Sequence, residues 1–265
     1  MNLPYVREMK THEDGRKIWY YRTPDDVKSF KPNIHVVTGS HSLAVQIASM
    51  LALNAPVTLL GSVRSAIPHV QVLSNSWTQP EVWDLISHQH TIHTVYHLGP
   101  WDAVGHNEPD KVFSAIVAGS LFLMQTIKSL KIGSMVAVTP QIVKNRDKNF
   151  VTEAFTQFEH QLQYIARSHE WPYALVRAPG ILEYNTNTMA NPLAPVVEAC
   201  IILGTQLATA SQSCRQKTPG SADTHSDDID EVSYRDVAWA VASAKTVETA
   251  ALLKSAEIFL PTRKC

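Results

Sequence analysis

The stretch Ile34–Gln46, I-H-V-V-T-G-S-H-S-L-A-V-Q, decides how the chain is read. A short apolar strand (Ile34–Val37) runs into a tight turn at Thr38-Gly39, and a helix opens near Ser42. In such a unit the backbone N–H groups of the turn and the helix N-terminus face an incoming phosphate, and glycines keep the approach clear. A G-x-x-G-x-x-G spacing anchored on Gly39 needs glycine at positions 42 and 45, where Ser42 and Val45 stand. The frame is legible and the phosphate seat is altered.

Outward from that unit, strand-like and helix-like stretches alternate. Ser42–Asn54 carries a helical face of Leu43, Ile47, Met50, Leu51 and Leu53. Pro56–Leu60 and Val70–Leu73 read as strands, and Gln79–His90 as a helix with Pro80 in its first turn. Thr94–Leu98 is a further strand. Pro109–Leu130 is the longest helical pattern, with Val112, Phe113, Ile116, Val117, Leu121, Leu123, Met124 and Ile127 on a broad buried stripe. Ser134–Val138 (strand), Val151–Ser168 (helix) and Tyr173–Val176 (strand) complete the series. Repeated β-α units of this kind predict an α/β fold, a doubly wound parallel sheet with helices on both faces, over residues 33–182.

Two flanking portions differ in texture. Residues 1–32 are polar apart from Ile18-Trp19-Tyr20-Tyr21, which reads as an edge strand or brace, with a partner-docking segment as the alternative. Residues 183–265 read as a small substrate-cleft portion. It holds a helix over Leu193–Ala208, a polar stretch Ser211–Glu231 that reads as a mobile linker or a lid, a helix over Tyr234–Thr246 and a strand at Glu257–Leu260.

Composition narrows the function classes. A length of 265 residues fits one large domain or one with a small appendage, and 45% apolar with 18% charged residues is ordinary for a globule. A net charge of −1 without basic runs argues against nucleic acid. The N-terminus has no signal-peptide core, and the longest apolar run, Leu193–Leu207, is broken by Glu198, Gly204 and Gln206, so no membrane span is expected. Three scattered cysteines suit a reducing compartment, and the expected location is cytoplasmic. His88, His90, His93 and His97 match no metal-ligand spacing.

Five fragments in order carry a family resemblance: T-G-S-H-S-L-A at the turn, V-Y-H-L-G (Val95–Gly99), I-V-A-G-S-L-F-L-M (Ile116–Met124), L-V-R-A-P-G-I-L (Leu175–Leu182) and V-S-Y-R-D-V-A (Val232–Ala238). Together they resemble the short-chain dehydrogenase/reductase superfamily, especially its extended, epimerase-like branch. The resemblance implies a Rossmann fold with a small C-terminal substrate-binding portion. It also implies a nicotinamide dinucleotide, a tyrosine that moves a proton, a lysine four residues on, and a Ser/Thr on the preceding strand end.

The chain departs from that pattern where the chemistry lies. In V-T-E-A-F-T-Q-F-E (Val151–Glu159), Phe155 takes the tyrosine position and Glu159 the lysine position. A phenyl ring transfers no proton, and a carboxylate raises the pKa of a neighbouring acid. Tyr164 does not rescue the pair, since Ser168 follows four residues later. Thr139 stands at the Ser/Thr position and Ile116 at that of the helix asparagine. On the cofactor side Gly39 and Ser42 form the altered seat. Arg64 replaces a ribose-gripping acid and suits a 2′-phosphate, so any bound dinucleotide is expected to be NADP. Asn75 could hydrogen-bond an adenine; the alternative is a solvated arginine and a turn asparagine.

The loop G-P-W-D-A-V-G-H-N-E (Gly99–Glu108) hangs over the expected cleft. Trp101 and Phe155 would form an apolar wall, Gln141 and Arg177 would contact substrate, and Asp102, His106, Thr139 and Glu159 would supply acid and base. Arg177 reads equally as a structural hydrogen-bonding residue. The expectation is a redox-silent protein that binds a small organic metabolite and catalyses isomerisation, cyclisation or elimination in specialised metabolite biosynthesis, as a homo-oligomer or with a biosynthetic partner protein. The alternatives are an NADPH reductase with another proton donor and a non-catalytic scaffold or regulatory subunit.

Overall fold

The computed structural model describes residues 7–11, 17–21, 31–63, 66–74, 76–104, 108–130, 132–141, 150–178, 193–216 and 244–259. Its centre is a seven-stranded sheet that begins at the quoted stretch. β3 (Asn33–Thr38) pairs in parallel with β4 (Val57–Leu60) on one side and with β6 (Thr91–His97) on the other. β5 (Val70–Leu73) extends one edge; β7 (Ser134–Pro140), β8 (Tyr173–Ala178) and β9 (Glu257–Phe259) extend the other. The order is β5-β4-β3-β6-β7-β8-β9, and only β9 runs antiparallel, against β8. Chain order reverses beside β3, which puts a crevice beyond the C-terminal ends of β3 and β6.

Burial explains why these strands lack polar alternation. Every residue of β4 and β7 is buried, as a sheet covered on both faces requires. One helical layer holds α2 (Pro80–Gln89), α3 (Pro109–Ile127) and α4 (Phe150–Ser168); the other holds α1 (Ser42–Leu51), α5 (Ala194–Gln216) and α6 (Val247–Ser255). α3 is long and apolar enough by composition to cross a membrane, but Val112, Ile116, Leu123, Met124 and Ile127 are buried in this layer, so it serves as a core helix.

Several boundaries differ from the sequence expectation. The aromatic patch lies in β2 (Lys17–Tyr21), which pairs with β1 (Arg7–Thr11) in a separate two-stranded sheet rather than at the edge of the main one. A π turn at Ser114–Ala118 offsets the α3 stripe, and Phe113 is 37% exposed instead of buried. Helix α5 continues to Gln216, so the start of the expected 211–231 loop is helical; the rest of that loop lies outside the described residues. Most of the expected Tyr234–Thr246 helix also lies outside them, and Thr246 instead caps α6 by accepting the Thr249 N–H at 3.1 Å. Both α5 and β9 are built onto the main sheet, so the described part of the C-terminal portion completes the same layers.

Candidate functional site

The turn after β3 has the backbone the sequence calls for. Gly39 has φ +109°, and a Cβ there would lie 2.9 Å from the Leu98 carbonyl oxygen, so both conformation and space demand glycine. Its N–H donates to Leu60 O at 2.8 Å. The next two amides point at a carboxylate of the chain itself. Ser40 N–H donates to both oxygens of Asp102, and His41 N–H donates to its Oδ1, all at 2.8 Å. These are charge-assisted bonds at a helix N-terminus, the geometry that otherwise receives a phosphate. His41 caps α1 through Nδ1, which accepts the Leu43 N–H at 3.2 Å, while Ser42 is exposed. The Ser40 hydroxyl accepts the Ser62 N–H at 2.8 Å and ties the turn to the end of β4.

Asp102 is held in place by the residue before it. A 3₁₀ turn, Gly99–Ala103, follows β6, and Trp101 is 1% exposed with its indole N–H donating to Val138 O at 2.8 Å. Its ring packs on Phe155, centroids 5.0 Å apart, and Phe155 is itself fully buried. The expected apolar wall of Trp101 and Phe155 is therefore core packing; two large rings facing each other exclude a ligand from between them. Asp102 is exposed as a whole residue, but desolvation of its carboxyl against the turn raises its pKa, opposed by the Ser40 and His41 N–H groups.

A second chain element fills the crevice at Gly99. The indole of Trp77, from the segment after β5, lies flush on Gly99, where a Cβ would fall 2.2 Å from its ring carbon Cε2. Trp77 meets the His97 ring edge-on at 5.0 Å, and the Trp83 indole N–H fixes the Trp77 carbonyl at 2.8 Å. What stays open beside Trp77 is a cleft of about 680 Å³, bounded by Asp102, Lys111, Ser114 and Phe122.

The histidine of V-Y-H-L-G is committed to structure. Thr38 Oγ1 accepts N–H groups from Leu98 and Gly99, both at 3.2 Å, which leaves its proton for His97 Nδ1 at 2.8 Å. Nε2 then donates to Ser120 at 2.9 Å. Burial lowers the His97 pKa to about 3, so the ring is neutral and joins β3, β6 and α3.

Thr139, Glu159 and Arg177, three of the expected site residues, come together. The Thr139 hydroxyl donates to Glu159 Oε1, and Arg177 donates to Glu159 Oε2 through Nε at 3.1 Å and Nη2 at 2.8 Å. Arg177 Nη2 also reaches Glu257 on β9 at 3.3 Å. Glu257 accepts from the Tyr173 hydroxyl at 2.7 Å and from Gln163 at 2.8 Å. The Glu159 hydrogen bonds raise the Arg177 pKa, so the guanidinium stays charged. Gln141 is exposed just past β7, with its N–H on Ala178 O at 2.9 Å. Arg64, Asn75 and His106 lie outside the described residues. Sequence reasoning missed Trp77 and the cleft-facing side of α3; a tryptophan among small polar residues in S-N-S-W-T was the available signal.

No protein-family model matches the sequence, and no curated protein does. Solved structures do match. UDP-N-acetylglucosamine 4-epimerase from Methanobrevibacter ruminantium M1, in complex with UDP-N-acetylmuramic acid, is 13% identical with TM-score 0.52, over 85% of this chain and 98% of that one. UDP-glucose 4-epimerase from Thermotoga maritima, with UDP-glucose, is 15% identical with TM-score 0.51, over 74% and 87%. The Bordetella bronchiseptica enzyme WbmF, in complex with NAD+, is 13% identical with TM-score 0.51, over 85% and 91%. At these identities the likeness is one of fold, the doubly wound α/β architecture described above.

Proposed function

We propose that the protein is redox-silent: it binds a small organic molecule in the cleft beside Trp77 and does not seat a nicotinamide dinucleotide at the Gly39 turn. The observation that carries this reading is the Asp102 carboxylate on the Ser40 and His41 N–H groups. A pyrophosphate arriving there would have to displace an anion tethered beside its donors and meet its charge. The fold neighbours are named with UDP-glucose, UDP-N-acetylmuramic acid and NAD+, and a pyrophosphate seated at a turn of this kind needs its N–H groups free. The Phe155–Glu159 helix face supports the same reading, because Glu159 is paired to Arg177 and Phe155 has no proton to give. Turnover in such a cleft is of the isomerising, cyclising or eliminating kind, and Asp102 is a carboxyl at its edge able to exchange a proton.

Titration calorimetry with NADPH, NADP+, NADH and NAD+ tests the reading. No binding heat is expected at millimolar cofactor, and a dissociation constant in the micromolar range for any of them would overturn it.

A further inference from the structure

We propose that the cleft beside Trp77 selects molecules that join an aromatic ring to an ammonium group, with Asp102 as counter-ion and Trp77 as ring partner. The proposal rests on the reading of that cleft as a small-molecule site and names the ligand class it takes.

The sign of the charge follows from what sits on the turn. The turn binds this carboxylate through three N–H contacts and the Ser40 hydroxyl, all neutral donors that leave its formal charge in place. Asp102 is an exposed residue that borders the cleft, so its charge is within reach of a ligand there. The α1 N-terminus returns only about half an elementary charge. The seat therefore stays net negative, the opposite of an empty phosphate turn. Lys111 also borders the cleft, but its Nζ pairs with Glu108 at 2.7 Å, and both side chains are about two-thirds exposed, so solvent and partner screen that cation.

The ring preference follows from Trp77 and Phe122. Trp77 is backed by Gly99 and Gly119, which hold its indole in one orientation. Phe122, 42% exposed, borders the same space. A cation held near an indole face and a carboxylate gains from both, and about 680 Å³ accommodates a ligand of one or two rings.

The test uses two probes with the same ring and opposite charge, tryptamine and indole-3-propionate, titrated calorimetrically into the full-length protein. Tryptamine is expected to bind at least tenfold tighter, and Asp102→Asn, whose amide oxygen still accepts from the turn, is expected to erase that difference. Equal affinities, a preference for the propionate, or no binding of either probe would overturn the proposal. The wild-type comparison decides it even where the variant fails to fold. Binding of NADPH by the same wild-type sample would instead overturn the redox-silent reading, so the two failures are separable.

Discussion

The Gly39 turn and the Phe155–Glu159 helix face both carry groups that are already partnered within the chain, in different ways. At the turn the donors are backbone N–H groups, which no substitution except proline removes, and the chain covers them with Asp102. On the helix face the groups are side chains, a buried ring and a carboxylate in an ion pair. Backbone function persists under its cover; side-chain function is gone once the residues change. The turn should therefore be recoverable by one substitution and the helix face should not.

The largest effect is expected at the Arg177–Glu159 ion pair. Arg177→Leu leaves Glu159, whose side chain is 9% exposed, without its cation. Breaking such a pair costs about 3 kcal/mol, the low end because Arg177 is one-third exposed, read as a lower urea midpoint. Adding Glu159→Gln should return part of that loss; a near-zero single-variant cost would mean that the clamp is decorative.

Acid should press next on the ring beneath the turn. The folded-state pKa of His97 is lowered to about 3, so between the unfolded value and that figure the unfolded chain takes up a proton that the folded one refuses. Stability from this residue is full above about pH 6.5 and falls as pH drops, by about 2 kcal/mol over 1.5 pH units. The stability–pH slope of His97→Asn between pH 6 and 4.5 should be shallower by that amount.

Gly99→Ala drives a methyl into Trp77 and should cost about 1–2 kcal/mol by overpacking, with a changed tryptophan emission. The smallest stability effect, about 1 kcal/mol, belongs to Asp102→Ala, whose turn amides can turn to water. That variant should nevertheless gain millimolar affinity for inorganic phosphate, seen as amide shifts at Ser40 and His41. Without the gain, the turn amides would be no anion seat even when uncovered.

The sheet was readable because each strand is a short apolar run between turn residues, and the parallel order follows from β-α alternation. The site was readable only in part. Asp102 and Glu159 stood out as carboxylates near a cleft, but their use depends on partners 61 and 18 positions away along the chain, Asp102 on His41 and Glu159 on Arg177. Local pattern holds no trace of such pairings. Trp101 and Phe155 were read as lining because aromatics near a cleft look alike whether they face it or each other. α6 was not anticipated because its V-E-T-A-A-L-L-K-S run is short and carries few large apolar residues.

The antiparallel strand β9 has a consequence in time. Glu257 lies 80 residues beyond Arg177 in the chain, so on a ribosome the guanidinium and Glu159 emerge well before their third member. At ordinary synthesis rates that gap lasts roughly 4–16 s. During it the nascent sheet ends at β8 with an open edge, and a chaperone or a neighbouring nascent chain has that interval in which to meet it.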